Sequence, residues 1–466
     1  MIRPSISYIG LPALILAGSL IFIRQLTPAF KAGTQTQDHP VIAFTLAIAL
    51  AGIAWMTFIP LLRRTPLAHQ IIIPSIILLG LILRIIFFGT HPVYEDDFKR
   101  YLWDGAVTAI GENPYRYSPT EVFNAGAEGV SSVPELARLA VLSNENNFIT
   151  GQINSPDLTT IYPPASQLVF ALAHIIAPFK PWGLQVVFLG AEILGLLALL
   201  MGLHTRNLPL SWGALYWLNP IVIFTTYNGL HMDVLLVAPI LAALMWAGKR
   251  PLRSAFMLSL AAAIKLWPLL LAPVLFRNLR NKPLAYAAIA TLITGLTILS
   301  LLPMALSLNE SAGLLAYSAN WTNSSFLFPG LRNILGLFID DPNRAARFII
   351  AAIVTSVSLW LGFIAPKNPK HIPLHLLLLS ASFVLLSPTG YPWYFIWFIM
   401  FLPFTLQHWS CRGLGLLTVG AAVYFARFKL GEAGHYDFYT RVLLPLEFGL
   451  PLLVLAWDGL KAKRNV

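Results

Sequence analysis

Three consecutive acids, Glu95, Asp96 and Asp97, are followed at helical spacing by Arg100, Tyr101 and Asp104 in a chain where charge is scarce. A carboxylate with a guanidinium one turn away suits one task in particular. Transfer of a glycosyl group to an alcohol needs a base for the hydroxyl proton while the sugar develops oxocarbenium character, and a cation for the departing phosphate. One carboxylate suffices, because phosphate is already a good leaving group, whereas glycosidases need a second acid to protonate the leaving sugar oxygen. The bland counterpart is a solvated interfacial helix whose charges only face water.

Residues 97 to 110 read as a short amphipathic helix. Phe98, Leu102, Ala106, Ala109 and Ile110 form its apolar stripe, and Asp97, Arg100, Tyr101, Asp104 and Thr108 share the other face. Such a helix is expected to lie along a membrane surface. Gly111 suits its C-terminal stop, Asn113-Pro114 prevents continuation, and Asp96 or Asp97 sits at its start, where backbone amides favour an anion.

The element that must carry this segment is a membrane bundle. Of 466 residues, 57% are apolar and 11% charged, with a mean hydropathy of +0.70; soluble domains carry about 25% charged residues. Apolar runs near the ~20 residues that cross ~30 Å of hydrocarbon recur from end to end. They are continuous where a β-barrel would alternate, so the fold class is an all-α polytopic membrane protein. The net charge of +11 sits mainly in short loops, which makes it a topology signal and argues against a nucleic-acid partner. Cys411 is the only cysteine, excluding an intramolecular disulfide and any multi-cysteine metal site. The first apolar run, from Ser7 to Ile23, reads as a retained helix.

Lys249, Arg250 and Arg253 flank one end of the run at 254–276, and Arg277, Arg280 and Lys282 the other. The positive-inside rule wants both clusters cytoplasmic, which a simple span cannot satisfy. Two runs are therefore expected to dip in and return on the same side: 209–227, broken at Asn219-Pro220, and 254–276, interrupted by Lys265-Leu266-Trp267-Pro268. About twelve crossings remain, with both termini inside. The loop 90–162, which holds ten of the twenty acidic residues, then faces outward. Residues 1–300 are expected to form the catalytic module and residues 301–466 a C-terminal transmembrane module.

Lys265 stands in an apolar run, where an ionisable group is costly unless it faces a cavity or partner. It is a candidate for a donor phosphate, as are Arg100 and Arg84, although Arg84 and Lys265 could also snorkel to an interface. His231 and Asp233, two residues apart, could contact sugar or acceptor, orient the base, cap the next helix or join a metal; spacing supplies no third ligand, so no metal site is expected. Tyr162 precedes Pro163-Pro164, which suits a helix start, and Gln167 one turn later could reach the site. Tyr391 and Trp393 read either as an interfacial aromatic belt or as a platform for sugar or polyprenyl. Asp104 and Tyr101 are further sugar or acceptor candidates on the helix of Asp97.

Five motifs in order are informative together. DFKRYLWDGAVTAIGENPYRYSP, TIYPPASQLVF, YWLNPIVIFTTYNGLHMD, AAAIKLWPLLLAPVLF and SPTGYPWYFIWF resemble those of bacterial polyprenyl-phosphate-mannose-dependent mannosyltransferases of the GT-C superfamily, over about residues 90 to 400. The resemblance implies a GT-C bundle and inverting transfer from a polyprenyl-phosphate sugar, mannose in that family. It implies a catalytic aspartate matching Asp97 with Asp96 beside it, and a phosphate-facing lysine matching Lys265. Glu95-Asp96-Asp97 departs from a plain Asp-x-Asp pattern. No cofactor is required, though carboxylates near phosphate permit a bridging divalent cation. The expected partners are a polyprenyl-phosphate-linked donor, a glycan, glycolipid or lipid acceptor, and membrane lipid. No nucleotide-binding glycine loop is present, in keeping with a lipid donor. The rivals are a lipid-linked glycan flippase, which predicts inverted internal repeats that the chain lacks, and a polymerase or ligase using a pyrophosphate-linked donor.

Overall fold

Prolines and left-handed residues decide how these apolar runs are divided. The computed structural model describes the chain except for residues 1–6, 32–37, 65–68, 129–132, 146–149, 151–152, 309–311, 366–367 and 465–466. Among the described residues the fold is all-helical, with one isolated bridge between Asn323 and Thr389. Among the described residues eight helices are long and apolar enough to cross a membrane, or nine if one bent pair counts as a single span: Gly10–Phe30, Val41–Arg63, Pro181–His204, Pro283–Ala305, Pro342–Ile364, Pro369–Leu386, Ser410–Glu432 and Tyr436–Ala462. The chain is an integral, multi-pass membrane protein.

Other apolar runs are shorter or broken, for local reasons. The run at 391–406 contains Pro392 and Pro403 and breaks into the short turns Pro392–Phe395, Ile396–Ile399 and Leu402–Thr405, since each proline removes a helical donor. The run at 163–178 yields only the 13-residue helix Pro164–Ile176. The breaks at Asn219 and Lys265 fall where the sequence puts them. Asn219 caps Pro220–Tyr227 by accepting from the amides of Ile221 and Val222, and helix Pro251–Ile264 stops at an extended Lys265.

The chain divides into two units, each assembled from separated stretches: residues 1–93, 195–229 and 322–466 in the first, and residues 94–194 and 230–321 in the second. In the first unit, Val41–Met56 packs against Ser7–Leu26 and Ser410–Gly420. In the second, Asp97–Ala109 packs along Pro164–Ile176, and Pro251–Ile264 packs against both Val237–Trp246 and Pro283–Ala305.

The long acidic loop has a core of its own. Helices Asp97–Ala109, Pro119–Glu128 and Pro134–Glu145 enclose Trp103, Val107, Val122, Leu139 and Ile153. Arg116–Glu135 and Arg138–Glu112 pair at 2.5 Å across its rim; with both arginines more than half exposed, each pair contributes about 0–1 kcal/mol.

The first of these helices is packed into protein all round. Residues 100 to 107 are buried on both faces, including Arg100, Tyr101 and Asp104. Gly105 makes this possible, since a Cβ there would lie 2.4 Å from the Phe170 carbonyl oxygen. Tyr101 stacks on Phe170 with ring centroids 4.5 Å apart and meets Tyr162 edge-on at 4.9 Å, contacts worth about 0.5–1.5 kcal/mol each beyond the area they bury. The helix ends as its residues dictate, with Gly111 at φ +81° just beyond the last turn.

Candidate active site

Asp97 opens its helix, so its carboxylate stands beside amides that lack intrahelical partners. One oxygen, Oδ1, accepts a 2.7 Å hydrogen bond from the Asn154 side-chain amide, which also donates to Asp96 Oδ1 at 3.1 Å. The other, Oδ2, lies 3.5 Å from the Tyr162 hydroxyl, which donates to it, and 3.8 Å from His231 Nδ1. His231 Nε2 in turn faces Glu95 Oε2 at 3.3 Å. The Asp97 side chain retains 29% of its exposure, whereas His231 retains 2%, so the carboxylate is the open edge of an otherwise enclosed group. Burial pushes the Asp97 carboxyl above its ordinary range and Glu95 and Asp96 push the same way, while His231 and the Asn154 bond pull it down.

Lys265 sits in the gap between helix Pro251–Ile264 and the turn Trp267–Leu271. Ser166 Oγ donates to the Ile264 carbonyl at 3.0 Å, satisfying an oxygen released where the helix ends. The ammonium donates to Asp233 Oδ1 at 2.7 Å and keeps 18% of its side chain exposed against 3% for the aspartate. Asp233 lies in the turn Met232–Leu236. The pair therefore presents its positive end outward, and His231, next but one to Asp233, is within electrostatic reach of Lys265.

Backbone strain concentrates here. Among the described residues six non-glycine residues have positive φ, and three adjoin this group: Tyr94 at +58° precedes Glu95, Ser155 at +45° follows Asn154, and Leu230 at +59° precedes His231. Left-handed non-glycine residues cost about 1–3 kcal/mol each and persist where surrounding structure over-determines them, as at functional sites.

Asp96, Asp97, Tyr162, His231, Asp233 and Lys265 thus come together in the second unit, around the Asp97–His231 contact and the Lys265–Asp233 ion pair. Asp104, Gln167 and Tyr101 form an adjoining layer. Gln167 Nε2, with two hydrogens to donate, has three acceptors within range: Asp104 Oδ2 at 3.3 Å, Thr160 Oγ1 at 3.1 Å and the Tyr162 carbonyl at 3.2 Å. Burial raises the Asp104 carboxyl to about 6, against the pull of Arg100 and of hydrogen bonds from Thr160 and Gln167.

The remaining candidates are engaged elsewhere. Arg100 donates to the carbonyls of Leu158, Asn154 and Ser155 at 3.0–3.1 Å, so its guanidinium is spent on the loop that carries Asn154. Arg84 belongs to the first unit, fully buried, bonded to the carbonyls of Gly80 and Trp217 at 2.8 Å and lying 3.5 Å over the Trp217 ring. Tyr391 and Trp393, also of the first unit, are buried and stacked on each other with centroids 4.2 Å apart.

Asn154 escaped sequence reasoning altogether. It is one asparagine in a polar loop, and its partner lies 57 residues away. Among the described residues no group of three or more His, Cys, Asp or Glu side chains has the arrangement of a metal site.

Several charged residues of this all-helical, multi-pass membrane protein thus gather in the second unit around a partly open aspartate and a lysine–aspartate pair, an arrangement suited to group transfer. The model of Glycosyltransferase family 87 matches residues 160–388, a similarity that supports a membrane glycosyltransferase of GT-C type. The matched stretch includes Tyr162, Gln167, His231, Asp233 and Lys265; Asp97 and Asn154 lie before it. No curated protein and no solved structure matches the chain.

Proposed function

We propose that this protein is an inverting glycosyltransferase that moves a sugar, mannose by the resemblance above, from a polyprenyl-phosphate donor to a hydroxyl acceptor at the non-cytoplasmic membrane face. The prenyl chain stays among lipid-facing helices and the donor phosphate meets Lys265. The acceptor oxygen attacks the anomeric carbon, the bond from that carbon to the phosphate oxygen breaks with its electron pair going to phosphate, and Asp97 takes the hydroxyl proton. A single displacement of this kind inverts the anomeric centre. Lys265, held by Asp233, neutralises charge developing on the phosphate, and His231 steadies the Asp97 oxygen that receives the proton.

The observation that carries this reading is the half-open Asp97 carboxylate, with one oxygen tied to Asn154 and the other turned toward Tyr162 and His231. A base so placed needs no second acid when phosphate departs. The basic loops and the acidic segment 90–162 support the outward face.

The test is transfer by purified protein in lipid nanodiscs, supplied either with polyprenyl-phosphate mannose or with a pyrophosphate-linked sugar, and product anomer analysis. Turnover with the monophosphate and an inverted product is expected. Turnover only with the pyrophosphate donor, or retention of configuration, overturns the reading.

A further inference from the structure

We propose that Asn154, held in place by Arg100, is a positioning residue that aims Asp97 and keeps it ionised; this rests on the reading of Asp97 as the base. The argument starts from hydrogen counting. A side-chain amide nitrogen carries two hydrogens, and both Asn154 distances, 2.7 Å to Asp97 Oδ1 and 3.1 Å to Asp96 Oδ1, are within bonding range. One amide thus serves two neighbouring carboxylates that would otherwise repel each other. A donor on one oxygen of Asp97 fixes the rotation of the carboxylate, so the second oxygen points to where a hydroxyl proton must arrive.

The amide can do this only if its loop is rigid. Arg100 sits one turn along the same helix as Asp97 and binds the carbonyls of Asn154, Ser155 and Leu158. A planar guanidinium with five donors suits such a three-carbonyl grip better than an ammonium does. Ser155, at φ +45°, turns the chain immediately after Asn154. Helix and loop are therefore cross-linked twice, once by Arg100 to the backbone and once by Asn154 to the carboxylates. This gives the arginine of the Asp-x-x-Arg spacing a task other than phosphate binding.

The charged and titratable groups that face Asp97 are Glu95 and Asp96 from its own segment, His231 from the turn before Met232–Leu236, and Tyr162 from the approach to Pro164–Ile176. Lys265 and Asp233 act electrostatically on His231. Asn154 has no titratable group, so its removal alters hydrogen bonding without altering net charge.

Two readouts test this in the full-length protein. The first needs no turnover: infrared titration of the Asp97 carboxyl in nanodiscs, its band identified by subtracting the spectrum of Asp97→Asn. In Asn154→Ala the midpoint is expected to move to higher pH by roughly one unit, because a donor to the charged form has been lost. In Asn154→Asp it moves further, because a third carboxylate has been added. The second readout is kinetic. Asn154→Ala is expected to lower kcat about tenfold or more with donor KM little changed and to move the acid limb of the pH profile upward, and Arg100→Lys to do the same more weakly than Arg100→Ala. An unmoved infrared midpoint in both Asn154 variants overturns the positioning role whether or not the protein transfers sugar. A moved midpoint in a protein inactive with polyprenyl-phosphate sugars keeps the geometry and overturns the function above.

Discussion

Asp97 and Glu447 are two enclosed carboxylates that the fold treats in opposite ways. Asp97, in the second unit, accepts from Asn154, lies near Tyr162 and His231, and keeps an open side. Glu447, in the first unit, is 1% exposed, and among the described residues neither of its oxygens accepts a hydrogen bond. Its counter-charge, Arg427, is already committed: it donates to Asn323, to Ser324 at 3.2 Å and to the Tyr424 hydroxyl at 2.6 Å, and lies 3.9 Å over the Tyr424 ring. Ser324 also meets the Tyr439 hydroxyl at 3.1 Å, and Asn323 joins the 387–390 turn through backbone bonds to Pro388 and Gly390. One region directs donors at a carboxylate that stays accessible; the other closes on itself. Proton transfer to a substrate needs the first arrangement, and locking a loop to a helix is served by the second.

The comparison breaks most sharply at Asp97. Asp97→Asn is expected to abolish transfer, a loss of at least about 10²–10⁴-fold, while the protein stays folded and membrane-inserted; near-wild-type turnover removes the base from the scheme. Next comes the ion pair. Lys265→Met leaves Asp233 uncompensated and is expected to cost about 3–5 kcal/mol of stability as well as donor turnover. Adding Asp233→Asn to it should restore thermal stability but not turnover, and recovery of both would reduce Lys265 to a structural role. In the closed region, Arg427→Ala is expected to lose about 1–3 kcal/mol, because its buried partners are stranded. Turnover per folded molecule should stay close to wild type there, and collapse of turnover with stability intact would end the distinction between the two regions.

The smallest effect concerns pH. Asp104 holds its proton more tightly in the folded state, at about 6 against an ordinary 3.8. Its contribution to stability is therefore complete below about pH 4 and is lost as pH rises through about 6, by no more than about 3 kcal/mol. Asp104→Asn should flatten the thermal midpoint between those values and raise it at pH 8, measured by differential scanning fluorimetry. A steeper dependence in the variant would mean that the aspartate is charged in the folded protein at low pH.

Much of the scaffold could be read because its signals are local. The helix beginning at Asp97, the stop at Gly111, the start at Pro164 and the breaks at Asn219 and Lys265 each rest on one or two neighbouring residues with known backbone preferences. Amphipathic juxtamembrane helices are expected in the long loop, but Pro119–Glu128 and Pro134–Glu145 were not placed, although each carries the same signal: a proline in its first turn with Glu121 or Glu135 just behind it. Hydropathy alone does not show where prolines interrupt the hydrogen-bond ladder, as they do at Pro392 and Pro403. Within the site, Asp97, His231 and Lys265 stood out as charges in unusual company. The grip of Arg100 on residues 154–158 and the bond from Asn154 to Asp97 join positions more than fifty residues apart, and such pairing leaves no periodic trace in a single chain.

The three left-handed residues at Tyr94, Ser155 and Leu230 set ruggedness against catalysis. Glycine would relieve each bend without steric penalty, so a variant carrying it there could survive heating better. The same relief would let Glu95, Asn154 and His231 wander from their stations. Heat tolerance and catalytic rate should consequently trade off at these positions, and selection for durability alone would blunt the enzyme.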